Sequence, residues 1–87
     1  GLTIALLVDN TESLDTNLAR LTFTPDIYSP NYRLADERLA AALRTKGIGI
    51  AVWTVNEEAD MKKMMALGVD GIITDYPDRL IGLLDKQ

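Results

Sequence analysis

Apolar residues fall in short runs along this chain, and each run is followed by a stretch with helical spacing. Leu2-Thr-Ile-Ala-Leu-Leu-Val8 is almost wholly apolar and does not alternate. A strand apolar on both faces is one buried in a parallel sheet and covered by helices. Asp9 and Asn10 end it. Leu14, Leu18 and Leu21 then stand at i, i+4 and i+7, predicting a helix over Thr11–Leu21 with Asn10 or Thr11 as its N-cap. Pro25 and Pro30 leave room only for a short strand between them, because proline donates nothing to a ladder. Asn31-Tyr32-Arg33 reads as loop. Ala35–Lys46 predicts a helix, with Leu39 and Leu43 on one face, Asp36 and Glu37 in the first turn, and Arg44 and Lys46 in the last. Gly47 stands where a C′ glycine belongs. Ile48–Val55 predicts the next buried strand, and Asn56, backed by Glu57 and Glu58, an N-cap. Met61, Met64 and Met65 form a core stripe, and Gly68 stops that helix. Val69–Thr74 predicts the last strand. Tyr76-Pro77-Asp78 turns into a final helix, Arg79–Asp85, with Leu80, Leu83 and Leu84 inward.

The predicted order is βαβαβαβα with short connections, which implies a parallel sheet. Lys46-Gly-Ile-Gly-Ile-Ala-Val52 and Leu67-Gly-Val-Asp-Gly-Ile-Ile73 echo one another about 21 residues apart, the length of one βα unit rather than a solenoid repeat. Four such units build one of two objects. One is a small open sheet with helices on both faces. The other is half of an eight-stranded barrel, with two unpaired strand edges and an apolar inner face.

Composition narrows the chemistry. Eighty-seven residues make one small domain with a thin core. The net charge is −4 and the longest basic cluster is Lys62-Lys63, so no nucleic-acid partner is expected. No apolar run approaches the roughly 20 residues of a membrane span. Gly1–Val8 is too short, and lacks the basic start, for a signal peptide. The chain opens on Gly1 and not Met, which suggests a processed, tagged or excised piece of something longer. The sequence contains neither Cys nor His. That removes disulfides, thiol catalysis, Ser–His triads and His-ligated zinc, and leaves the compartment unread.

In a parallel α/β fold, function gathers just after the strands. Here that rim holds Asp9, Asn10, Ser29, Asn31, Thr54, Asn56, Thr74 and Asp75, with Trp53 and Tyr28 close behind. Asp9, Asn10, Asn56 and Asp75 each have an alternative role as helix caps or turn braces. Trp53 either packs as core or lines a ligand site, as an amphipathic ring at a pocket mouth does. Tyr28 has the same two readings. No nucleophile–base pair and no phosphate-cradling glycine loop is present.

Val52-Trp-Thr-Val-Asn56, followed by Ala66-Leu-Gly-Val-Asp-Gly-Ile-Ile-Thr-Asp-Tyr-Pro-Asp78, resembles the closing motifs of the glycerophosphodiester phosphodiesterase family. Ile4–Asp9 resembles that family's fifth strand, and Leu39–Gly47 the helix feeding the tryptophan strand. The resemblance covers essentially the whole chain. It implies an α/β fold of four βα units with parallel strands, the C-terminal half of a (β/α)8 TIM barrel, with residues 1–87 supplying strands five to eight. It also implies a hydrolase that cleaves glycerophosphodiesters to an alcohol and glycerol 3-phosphate, using calcium or magnesium and two histidines. Those histidines, the His-Arg pair and the Glu-x-Asp metal ligands belong to strands one to four and have no counterpart here. The resemblance therefore assigns substrate contact to Trp53, Tyr28 and Asn31, and no catalytic or metal-binding residue to this chain. Alone, the chain is expected to bind no cofactor and to be inactive. Its expected partners are the missing N-terminal half-barrel, with a glycerophosphodiester substrate in the full domain, or a second copy of itself. The alternative to the enzyme-derived reading is a self-associating structural module.

Overall fold

The computed structural model describes residues 3–85. Leu2, the first residue of the predicted opening strand, lies outside them. Four strands, β1 (Ala5–Val8), β2 (Ile27–Pro30), β3 (Gly49–Val52) and β4 (Gly71–Ile72), alternate with four α-helices. These are α1 (Leu14–Ala19), α2 (Glu37–Lys46), α3 (Glu58–Leu67) and α4 (Pro77–Asp85). A single 3-10 turn, Tyr32–Leu34, replaces the loop expected after β2, and the Asn31 side chain caps it by accepting from the Arg33 N–H at 3.0 Å.

All strand pairs are parallel and the spatial order is β1-β2-β3-β4. This order decides between the two architectures. Right-handed crossovers between successive neighbours place every helix on the same side of the sheet, whereas a doubly wound sheet must reverse its strand order. The chain is thus half of a (β/α)8 barrel. The core lies in a single layer between sheet and helices, built from Val8, Tyr28, Leu43, Ile50, Val52, Met61, Met64 and Leu83. A radius of gyration of 13.1 Å exceeds the about 12 Å of a compact chain this long, as an open half-barrel requires.

Several boundaries differ from the sequence expectation. Helix α1 is five residues shorter than Thr11–Leu21, and its N-cap is Ser13, whose Oγ accepts from the Thr16 N–H at 3.2 Å. Asn10 does not cap α1: its Oδ1 accepts from the Glu12 N–H in the preceding loop, and its Nδ2 donates to the Asn17 side chain on the helix. Strands β3 and β4 are shorter than the apolar runs that hold them, since a ladder extends only as far as its neighbour offers partners. Helix α4 begins at Pro77, a position that suits proline because the first N–H has no helical partner. Leu84, expected inward, is exposed together with Ile81, while Leu80 and Leu83 face the core.

Two aspartates at strand entrances stitch the sheet together. The Asp26 carboxylate accepts from the Ile4 N–H, and that of Asp70 from the Ile50 N–H, both at 2.8 Å. Each satisfies a backbone donor of the preceding strand.

Candidate functional site

Within each strand, alternate residues face the helices or the open inner side. Ile50 and Val52 of β3 are buried against the helices, so the next residue, Trp53, turns to the inner side. There its indole N–H donates to the Ser29 carbonyl at 2.8 Å. Its backbone extends the β2–β3 ladder by one step. Trp53 N–H donates to the Pro30 carbonyl at 3.2 Å, the Tyr32 N–H donates to the Trp53 carbonyl at 2.8 Å, and Asn31 and Trp53 form a parallel bridge. Asn31 and Trp53 are therefore neighbours at the C-terminal edge of the sheet. A pocket of about 360 Å³ opens beside them, lined by Asn31, Tyr32, Arg33, Trp53, Thr54, Asn56 and Glu57. Tyr32 is itself held in place, its hydroxyl lying 3.3 Å from an Asp60 carboxylate oxygen, and the Arg33 guanidinium sits over its ring.

Tyr28 does not join this set. It is 2% exposed and faces the helices, the opposite side of β2 from Ile27 and Ser29. Its hydroxyl accepts from the Asn17 Nδ2 at 2.8 Å. Asn17 in turn donates to the Glu12 carbonyl and accepts from the Asn10 Nδ2 at 3.1 Å. This buried chain of polar contacts ties the loop after β1 to β2, and Tyr28 serves in it as a brace. Sequence reasoning passed over Asn17. The signal was present: Asn17 falls at i+3 from Leu14, inside the apolar stripe, where a polar side chain needs buried partners.

Asn56 is a loop clamp rather than the helix cap expected of it. The N-cap of α3 is Glu57, which makes no capping bond through its side chain. The Asn56 Oδ1 instead accepts from the Thr74 hydroxyl at 3.1 Å and the Asp75 N–H at 3.0 Å, and its Nδ2 donates to Asp75 at 3.2 Å. Its backbone carbonyl accepts from Arg79, whose guanidinium stacks on the Tyr76 ring at 4.2 Å. Asn56, Thr74 and Asp75 thus lock the loops after β3 and β4 to each other, and Arg79 is the member the sequence did not reveal.

Chemically, the edge offers an indole face, a guanidinium and carboxamides, groups that bind and orient a polar or anionic ligand. Among the described residues, no three His, Cys, Asp or Glu side chains gather to hold a metal ion. Asp9 and Asp75 follow β1 and β4, at opposite margins of the sheet. These residues do not fit a metal site.

The model of the glycerophosphoryl diester phosphodiesterase family matches residues 2–79. The chain belongs to that family. A glycerophosphodiester phosphodiesterase from Caldanaerobacter subterraneus subsp. tengcongensis is 44% identical over 48 residues, 55% of this chain and 20% of that protein. One from Bacillus altitudinis is 39% identical over 62 residues, 69% of this chain and 25% of that protein. Among solved structures, a glycerophosphodiester phosphodiesterase from Parabacteroides distasonis superposes with a TM-score of 0.75 at 26% identity, over 94% of this chain and 34% of that one. The chain spans 14% to 25% of the length of the curated relatives it matches. The family is generally metal-dependent.

Proposed function

We propose that this chain is the C-terminal half, strands five to eight, of a glycerophosphodiester phosphodiesterase barrel. In the closed barrel, Trp53 and Asn31 form a wall of the substrate site. The other half-barrel supplies the calcium or magnesium site and the acid–base groups, while this half binds and orients the glycerophosphodiester. The observation that carries the reading is the family match over residues 2–79 together with the Trp53–Asn31 bridge at the functional edge of the sheet. The absence of His from the chain supports placing proton transfer on the other half. The open inner face accepts whatever closes the barrel, either the other half or a second copy.

The test is complementation. This chain is mixed with the N-terminal half of a family barrel and with calcium or magnesium, and release of glycerol 3-phosphate from a glycerophosphodiester is followed. Turnover by the mixture, absent from either half alone, is the expected result. In the active mixture Trp53→Ala lowers kcat/KM by about tenfold or more, corresponding to at least about 1.4 kcal/mol of lost transition-state binding. Turnover by the isolated chain at the rate of the mixture overturns the division of labour.

A further inference from the structure

Among the described residues, eight large apolar side chains are exposed; Phe23, Leu34 and Tyr76 lie in turns and connections, and the other five lie on the first and last βα units. Leu7 on β1 is 67% exposed and Ile73, just after β4, is 50% exposed. Both have inner-side parity, because Leu6, Val8 and Ile72 pack toward the helices. Ile4 shares the helix-side parity of Leu6 and Val8, yet it too is exposed. Ile81 and Leu84 are exposed on α4, on the flank turned away from its core residues Leu80 and Leu83.

These five residues outline one missing seam in two layers. In a parallel barrel each helix packs outside its own strand and the next, so a strand placed beside β4 brings its outer face under α4. Ile81 and Leu84 would then cover a residue placed as Ile4 is, and Ile73 would meet a residue placed as Leu7 is inside the barrel. What β4 and α4 lack is a β1-like edge, and what β1 lacks is a β4-like edge with its helix. The chain carries both sides of the seam. Among the described strands, β1 and β4 each pair on one side only. A two-fold axis along the barrel axis brings β4 of one copy to β1 of the next at both seams, and closure leaves no free edge.

We infer that, in the absence of the other half, the chain closes with a second copy of itself into a two-fold eight-stranded barrel. The inference rests on the half-barrel reading. Covering the five side chains on both copies, with the edges between them, removes on the order of 1,000 Å² of surface, the scale of a specific interface. The second copy meets the same two open edges and inner face that the other half-barrel would occupy, so the two partners compete.

Sedimentation of the isolated chain over a wide concentration range tests this, with circular dichroism as the control for folding. A single species of twice the chain mass is expected. Leu7→Glu places a charge on the inner seam, and Ile81→Lys one on the already exposed flank of α4, where folding of the monomer does not depend on the isoleucine. Each is expected to weaken the dimer at least tenfold with the helical signal retained. Trp53, the single tryptophan, reports closure through an emission shift to shorter wavelength in the dimer. A compact monomer at every concentration, open-ended aggregates, or a dimer indifferent to Ile81→Lys overturns the inference. None of these readouts requires turnover, so a failure of the hydrolase reading in the complementation assay is separable from a failure here.

Discussion

A few single residues hold positions that no substitute fills without loss. Gly68 ends α3 at φ +85°, and a Cβ there would stand 2.6 Å from the Arg44 Nη2, which donates to the Leu67 carbonyl at 2.8 Å. Gly68→Ala therefore combines a left-handed backbone with displacement of the arginine that caps the same helix end. It should lower the unfolding free energy by about 1–2 kcal/mol, read as a lower urea midpoint at unchanged slope. Asp70→Ala orphans the Ile50 N–H and should cost about 1–3 kcal/mol. Asp70→Asn keeps an acceptor and should lose less in the same titration. Gly47, also left-handed, has nothing within 4 Å of a built Cβ, so Gly47→Ala carries only the backbone penalty and should be milder than Gly68→Ala.

At the scale of elements, the two loops that frame the functional edge act as one body. Asn56 contributes a carboxamide with three hydrogen bonds, and its carbonyl a fourth from Arg79. Asn56→Ala should free the loop after β4 from the loop after β3. Faster amide exchange at Asp75 is expected, because its N–H loses its acceptor, with a stability loss of about 1–2 kcal/mol. Amides in the middle of α2 should exchange as before. The methionine stripe fixes α3 in a different way. Met61 and Met64 are buried, and Met64→Ala should cost about 2–4 kcal/mol by cavity formation. The lengths of the elements were the least legible part of the sequence. An apolar run shows where a strand lies but not how many of its residues find partners. The run Val69–Thr74 contributes only Gly71–Ile72 to the ladder.

At the scale of the molecule, half a barrel buries one face of its sheet and leaves the other for a partner. Relative to the dissociated monomer, closing the barrel with the N-terminal half should protect the margins of the sheet first. Amide exchange should slow in β1 and around Ile73, while β2–β3 amides, already paired on both sides, should change little. Placement of the candidate site followed the same logic of faces. The rim position of Trp53 and Asn31 was legible because both lie just past strand ends. Tyr28 was misplaced because only the strand's parity, invisible among prolines and apolar neighbours, turns its ring toward α1 and Asn17.

The sequence alone determined the order and type of the elements, the two glycine helix stops, the core stripes and the family motif around Trp53. Those features depend on spacing and local conformational preference, which the chain carries in itself. The hydrophobic pattern by itself left the half-barrel and the open doubly wound sheet both standing; the family motif implied the half-barrel, and the sequential strand order of the tertiary structure agrees with it. Only the tertiary structure showed that Asn56 clamps loops, that Tyr28 braces α1, and that Ile4, Leu7, Ile73, Ile81 and Leu84 are left exposed on the two outer βα units. Each of these depends on contacts between residues distant in the chain, and the hydrophobic pattern records that a residue is apolar without recording which neighbour will cover it.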